Sequence, residues 1–298
     1  MGKIGKLIPL LLAAALLLTG CGGASARLTE VDGLDALGEV QVVSREEGSG
    51  TRSAFAELVG FDESEDESKP DATTDAALVV DNAEAVIAAV GEDPAAIGYI
   101  SMGALDALDG ETVLSVDGVA GTLANVKNGS YALSRPFVLA WSGTLSELEQ
   151  DFLTYVLGKG QTIVSQSYVA VEDSTTFLSG KQSGTITIHG STSAAPLLEE
   201  LAAEYMTLNP NATVEVTASD STTGLNDAMQ GRCDFGMASR QLADYEAELL
   251  DCETIAEDGI AVIVNGENPL QSVTLDELKG LFTGTLSTWD FINAEREG

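Results

Sequence analysis

The chain has 298 residues, of which 44% are hydrophobic and 20% are charged, so it is long enough to bury the core of one large or two medium domains. Its formal net charge of −33 at pH 7 argues against the basic surfaces that bind nucleic acid or anionic membranes. The negative charge argues only weakly against a small anionic ligand. Distant charge is screened over about 10 Å at 0.1 M salt, whereas a bound ion interacts most strongly with nearby donors.

Residues 1–20 have the layout of a bacterial lipoprotein signal peptide. Lys3 and Lys6 precede an apolar run at residues 7–18 that is too short for a comfortable membrane span, and Cys21 follows small residues. The pattern predicts cleavage before Cys21, lipidation of that cysteine, a tether over residues 21–38 and a position on the extracytoplasmic face of the cell membrane. Cleavage removes two positive charges and takes the net charge from −33 to −35. An ordinary signal peptide with an incidental cysteine is the alternative.

The first half of the remaining chain alternates strand and helix patterns. An acidic stretch at residues 61–75 lacks the alternating ligands and central glycine of an EF-hand, which favours a solvated loop over a calcium site. The capping-box spacing from Thr144 to Glu147 predicts the start of a helix. The other predicted elements are strands at residues 39–43, 97–100 and 137–141, and helices at residues 52–59 and 83–90.

The second half repeats the alternation after a polar, glycine-containing linker at residues 172–184. The capping-box spacing from Thr274 to Glu277 opens its last predicted helix, which ends near residues 282–284. The other predicted elements are strands at residues 185–188, 214–216, 235–238 and 260–264, and helices at residues 197–208 and 224–229. Repeated strand and helix units predict an α/β protein.

Two segments of this pattern are typical of turns that bind an anion, and we call them cradles. Residues 44–52 read SREEGSGTR and residues 189–193 read HGSTS, and each lies between a β-branched run and an amphipathic helix. Such a turn directs backbone N–H groups and short hydroxyls at a negative ion. Two cradles that face each other would form a clamp around one small anion.

Several motifs together resemble the periplasmic-type phosphate-binding proteins of ABC uptake systems, over nearly all of the chain after Cys21. The resemblance lies in residues 44–51, 96–101, 131–136, 190–193, 234–240, 258–262 and 282–284, and in Trp289. It implies an α/β, two-lobed, periplasmic-binding-protein-like fold of type II with a cleft between the lobes. It also implies a receptor without enzymatic activity or cofactor, which binds inorganic phosphate and delivers it to the permease subunits of an ABC transporter.

The order of the motifs departs from the family, in which the GSTS-type cradle comes first. Here residues 39–171 correspond to the family's second half and precede residues 185–298, so the resemblance implies a circularly permuted chain in which residues 172–184 join the original ends. One lobe is then discontinuous, at residues 28–127 plus 268–298, and the other is contiguous, at residues 131–265. A misordered fragment of a longer tandem protein, and an exchange of halves between two copies, remain alternatives.

The resemblance also implies the ligand-binding residues. It assigns Thr192, Ser193 and Ser221 to the contiguous lobe. It assigns Arg45, Glu47, Ser49, Gly50 and Thr51 to the split lobe. A plain helix cap is the alternative role for the serines and threonines, since capping uses the same geometry as anion binding, and a surface ion pair is the alternative for Arg45.

Selectivity is the least determined part of this hypothesis. Glu47 is expected to orient Arg45 and to accept the proton of hydrogen phosphate, which would reject sulfate. Some family members place an Asp for this purpose where this chain has Arg240. Arg240 and Arg135 are expected near the cleft in structural roles, with contact to the ligand as the alternative.

The remaining chemistry-bearing residues give weaker signals. Cys233 and Cys252 either pair or stay as free thiols, and His189, the only histidine, is expected to be a strand-end residue because a lone histidine has no partners for a metal site or a catalytic triad. A receptor for sulfate, molybdate or tungstate, or a surface sensor or adhesin that does not serve transport, are the rival functions. A hydrolase is disfavoured because the sequence contains no nucleophile elbow, zinc motif or P-loop.

Overall fold

A computed structural model describes residues 30–64, 66 and 68–297. The predicted signal peptide, Cys21 and the first part of the predicted tether lie outside these residues. In the part of the chain that is described, no helix is long and apolar enough to cross a bilayer.

The first half of the chain alternates strands and helices, as predicted. Its strands are β1 (Gln41–Arg45), β2 (Leu78–Val80), β3 (Ala96–Ser101), β4 (Thr112–Val113), β5 (Ser115–Val116) and β6 (Ser134–Trp141). Its helices are α1 (Gly50–Val59), α2 (Ala83–Glu92), α3 (Leu123–Lys127), α4 (Glu147–Leu157) and α5 (Gln161–Ser167), with 3₁₀ helices at Leu34–Ala36 and Met102–Ala107.

The second half follows a segment without regular structure at residues 173–183, which agrees with the predicted linker. Its strands are β7 (Gly184–Ser191), β8 (Ala212–Ser219), β9 (Phe235–Ala238), β10 (Asp251–Val264) and β11 (Ser272–Val273). Its helices are α6 (Ala195–Leu208), α7 (Ser221–Met229), α8 (Asp244–Ala247), α9 (Leu275–Thr283) and α10 (Asp290–Glu297).

One continuous sheet connects the two halves. Among the described residues its strand order is β2-β1-β3-β10-β6-β9-β7-β8, with β4 also paired to β10. The outer pairs β1 with β2 and β7 with β8 are parallel, whereas β10 is antiparallel to both β3 and β6. Both cradles therefore follow parallel strands that lie on opposite sides of the long central strand β10.

Two hydrophobic cores pack along this sheet. One contains buried side chains from Leu34 to Leu133 and from Ile260 to Ile292. The other contains side chains from Phe137 to Ala256, with a smaller cluster beside it. Strand β10 contributes to both cores, and residues of both lobes line a cavity of about 370 Å³. The protein thus has the two-lobed α/β fold that the sequence predicts.

The cores divide the chain slightly differently from the predicted lobes. Tyr131, Leu133 and the 260–264 end of β10 pack in the first core, although the sequence placed them in the contiguous lobe. The change of core lies between residues 133 and 137, where β6 begins, and between residues 256 and 260 on β10.

The described ends of the chain lie side by side. The Val31 amide donates to Asn293 Oδ1 and Asn293 Nδ2 donates to the Val31 carbonyl, both at 2.8 Å, and Leu34 is fully buried. Val31 therefore contacts α10 and Leu34 packs in the first core, so the 31–38 end of the predicted tether is part of the folded protein. Adjacent ends are compatible with circular permutation but do not test it, so the permuted order stays a prediction.

Two helices begin at other residues than the sequence pattern predicts. The capping box of α4 is formed by Ser146 and Glu149, two residues later than predicted, while Thr274 and Glu277 form the box of α9 as predicted. Helix α7 begins at Ser221, three residues earlier than its apolar pattern, because Asp220 caps it by accepting from the Thr223 amide at 2.8 Å.

Candidate functional site

The starts of three helices surround the candidate site. Helix α1 begins at Gly50, α6 begins at Ala195 just after the HGSTS segment, and α7 begins at Ser221. The first N–H groups of a helix have no partner within it and carry partial positive charge. The partial charge at these ends favours an anion, and at α7 the Thr222 and Thr223 amides already donate to the Gly48 carbonyl and the Asp220 carboxylate.

The start of α1 contacts the other two helix starts between the two lobes. Thr51 Oγ1 and Ser193 Oγ are 2.8 Å apart. An ideal Cβ built on Gly50 would collide with Ser221 Oγ and lie 2.7 Å from Ser239 Oγ. The two predicted cradles thus face each other within one chain.

Arg45 lies between the cradles and is only 2% exposed. Its Nη2 donates to Thr192 Oγ1 at 2.9 Å and to the Asp81 carbonyl at 2.8 Å. Its backbone amide donates to Tyr99 Oη at 3.2 Å, which fixes the end of β1 against β3. Arg45 therefore places a buried guanidinium, a donor group suited to oxyanions, beside a hydroxyl of the opposite cradle.

The carboxylate that orients Arg45 is Glu46, not Glu47. Arg45 Nε donates to Glu46 Oε2 at 2.8 Å and Arg45 Nη2 donates to Glu46 Oε1 at 2.7 Å, whereas Glu47 is exposed. The prediction that Glu47 holds the guanidinium was wrong, because the turn after β1 directs the first of two adjacent glutamates toward it.

A group of buried hydroxyls completes the inner surface of the site. Among the predicted residues, Ser49, Thr51, Ser193 and Ser221 are at most 8% exposed. Ser191 and Ser239, which the sequence did not single out as ligands, join them: Ser191 Oγ donates to Ser239 Oγ at 2.9 Å, and the Ser239 amide donates to Ser221 Oγ at 3.1 Å. Hydroxyls both donate and accept, so they suit an oxyanion in more than one protonation state.

Glycines allow the backbone of each cradle to approach its neighbours. Gly48 has φ of +87°, and its carbonyl accepts from the amide and the hydroxyl of Thr222 across the cleft, at 3.2 and 3.3 Å. Gly190 has φ of +136°, and a Cβ there would collide with the Met237 carbonyl. Any other residue would strain both turns.

Arg240 and His189 have structural partners. Arg240 donates to the fully buried Glu246 at 2.7 and 2.9 Å. Burial alone would raise the pKa of Glu246, but the hydrogen bonds from Arg240 and the Ala243 amide outweigh burial and lower it. The Nδ1 atom of His189 on β7 lies 2.8 Å from Oδ2 of Asp227 on α7. Both residues stabilise the lobe that carries the HGSTS segment.

No group of three or more His, Cys, Asp or Glu side chains in the described part of the chain is placed to hold a metal ion. Cys233 and Cys252 are both free thiols, the first buried and the second exposed.

The geometry defines the class of protein. Two lobes share a central sheet and a cavity lies between them, lined by Thr192 and Ser193 of the HGSTS segment and by Glu84 and Asp106 of the other lobe. Beside it, three helix N-termini, several hydroxyls and the buried Arg45 meet where the lobes touch. Solute-binding proteins with a ligand cleft between two α/β lobes have this arrangement.

Comparison with known proteins places the chain within that class. It matches the model of the PBP superfamily domain over residues 30–159 and 175–296. The phosphate-binding protein PstS 2 of Streptococcus pneumoniae is 38% identical over 278 residues, which covers 92% of this chain and 94% of that relative. The protein of the same name from Streptococcus agalactiae is 36% identical over 296 residues, which covers 96% and 98%.

A solved structure agrees with these relatives. The crystal structure of the phosphate-binding protein of a phosphate ABC transporter from S. pneumoniae has a TM-score of 0.71 and 39% identity, and the match covers 86% of this chain and all of the other. The chain therefore belongs to the PBP superfamily and, within it, to the family of these phosphate-binding proteins.

Proposed function

We propose that this protein captures inorganic phosphate between its two lobes and delivers it to an ABC permease on the extracytoplasmic side of the membrane, to which the lipidated Cys21 anchors it. The proposal includes no enzymatic step. The observation that carries it is the meeting of both cradles around Arg45, through the contacts of Arg45 with Thr192 and of Thr51 with Ser193.

A few hydrogen bonds to the ion would supply enough free energy for micromolar binding. A hydrogen bond to a charged group contributes about 1.5–3 kcal/mol, and micromolar affinity requires about 8 kcal/mol. Arg45, the helix N-termini and the hydroxyls of Ser49, Thr51, Ser193 and Ser221 are the candidate donors, and several of them would exchange their present protein partners for the ion.

The identity of the anion depends on the groups beside Arg45. Arg240 binds Glu246 and brings no carboxylate to the site, so the nearest acidic group on the guanidinium is Glu46. We assign to Glu46, in place of Glu47, the role of accepting a proton from hydrogen phosphate and disfavouring sulfate.

Isothermal titration calorimetry of the chain from residue 22 onward tests the proposal. We expect phosphate to bind at one site, and Arg45→Ala and Thr51→Ala to weaken it at least tenfold, the effect of losing about 1.4 kcal/mol. Lys127→Ala, which removes an exposed charge at the end of α3, is the matched control. The absence of both phosphate heat and thermal stabilisation at millimolar phosphate would refute the proposal, and a tighter sulfate, molybdate or tungstate isotherm would assign the site to that anion.

A further inference from the structure

A buried ion pair lies where the two central strands pass from one lobe to the other. Arg135 on β6 faces Asp258 on β10 in register. Arg135 Nε and Nη2 donate to Asp258 Oδ2 at 3.1 and 2.9 Å, and neither side chain is more than 1% exposed. Neither residue belongs to the predicted set of ligand-binding residues.

The third bond of Arg135 reaches the candidate site. Its Nη1 donates to the Ser239 carbonyl at 3.1 Å. The amide of Ser239 in turn donates to Ser221 Oγ, and the Ser239 hydroxyl accepts from Ser191. A single guanidinium therefore fixes the backbone of the residue that orients two site hydroxyls.

Asp258 connects the same guanidinium to the other lobe. Its Oδ1 accepts from Ser101 Oγ at 2.9 Å. Ser101 ends β3, the strand whose Tyr99 hydroxyl contacts the Ser44 hydroxyl and the Arg45 amide. The hydrogen-bonded supports of both cradles thus converge on one ion pair.

We propose that Arg135 is a positioning residue of the anion site: held by Asp258 and Ser101, it sets the placement of Ser239 and Ser221 without touching the ion. The inference rests on the proposed function in that the site binds an anion. It predicts that the affinity for phosphate depends on the forked shape of the Arg135 side chain and not only on its charge.

Arg135→Lys is the variant that separates these properties. Lysine keeps a positive charge opposite Asp258, but its single nitrogen cannot reproduce the guanidinium fork that spans Asp258 and the Ser239 carbonyl. We expect its Kd for inorganic phosphate, measured by calorimetry well below the melting temperature, to rise about tenfold. Arg232→Lys, which alters a half-exposed arginine beyond the far end of α7, is the matched control and should leave the Kd unchanged.

An NMR readout identifies positioning directly. In ¹⁵N-serine-labelled, ligand-free protein, the Ser239 amide resonance should shift in Arg135→Lys and stay in place in Arg232→Lys. A purely structural role would lower the melting temperature and leave both the Kd and this amide unchanged. Should Arg135→Lys not fold, Ser101→Ala keeps the ion pair intact and should raise the Kd about threefold, an effect of about 0.65 kcal/mol.

The outcomes distinguish this inference from the proposed function. If wild-type protein binds phosphate and the folded variant binds it within about twofold, the positioning role is overturned and the proposed function stands. If wild-type protein gives no phosphate heat, the proposed function fails, and the Ser239 resonance of the ligand-free variants still decides the positioning role.

Discussion

Gly50 is the position where one added methyl group tests the contact between the two cradles. Gly50 is the first residue of α1 and its φ is outside the left-handed region, so its backbone accepts alanine. The added Cβ would nevertheless collide with Ser221 Oγ and lie 2.7 Å from Ser239 Oγ, which are fully buried hydroxyls of the other lobe. Gly50→Ala should therefore oppose the approach of the lobes while leaving each lobe folded.

The size of the effect follows from two opposing terms. Overpacking by a methyl group costs about 1–3 kcal/mol, which corresponds to about a 5- to 150-fold weaker Kd for phosphate. Replacing glycine at a compatible helical position stabilises the folded chain by about 0.4–1 kcal/mol. We expect calorimetry to show the weaker binding.

Gly91→Ala on α2 is the matched control, because its Cβ would meet only the carboxylate end of Glu111, at 2.7 Å. It should have the same helix effect without a change in affinity. A Gly50→Ala protein that binds phosphate within about twofold of wild type would refute the conclusion that Gly50 and Ser221 face each other in one site.

Three further predictions concern single side chains. Glu46→Gln should lower the preference for phosphate over sulfate about tenfold in competition calorimetry, while the adjacent Glu47→Gln leaves it unchanged; equal effects would refute the assignment of Glu46. Burial alone would raise the pKa of Asp71, but hydrogen bonds from Arg52 and Thr73 lower it below its ordinary value of 3.8. The resulting stabilisation is present above that value and lost as the pH falls through the lowered pKa, so Asp71→Asn should flatten the acid decline of the melting temperature, and an unchanged slope would contradict this. Burial raises the pKa of Cys233 to about 11, so a maleimide at neutral pH should label the exposed Cys252 and spare Cys233 in folded protein, as mass spectrometry would show; equal labelling would contradict the buried thiol.

Local sequence patterns predict a helix or strand correctly when the residues that determine it lie within that helix or strand. Strand β9 was placed at its observed residues because all four of its side chains are buried, and the start of α9 followed from a capping box in which both partners are present. Residues 251–259 of β10 were not predicted, because residues 251–253 are exposed and Glu257, Asp258 and Gly259 interrupt the apolar pattern before residue 260.

The sequence allows the two cradles to be predicted, but not the contacts between side chains inside the site. The hydroxyls and glycine of residues 49–51 and 192–193 form part of recognisable segments, and these segments do meet. Ser239 joins them only because β9 lies between β6 and β7, an order that no local pattern encodes. Which of two adjacent glutamates binds Arg45 likewise depends on the path of the turn after β1, since neighbouring side chains point in different directions.

The large negative charge of the chain provides a last test of how an acidic protein holds an anion. The site combines a buried arginine with three helix N-termini, and these donors act at contact distance, where salt screens them little. The remote carboxylates repel phosphate through solvent, and salt weakens that repulsion. Raising NaCl from about 0.05 to 0.5 M, which shortens the Debye length from about 14 to 4 Å, should therefore leave the Kd for phosphate unchanged or lower it. A Kd that rises about tenfold over this range would instead indicate binding to exposed cations and would contradict a site made of buried donors.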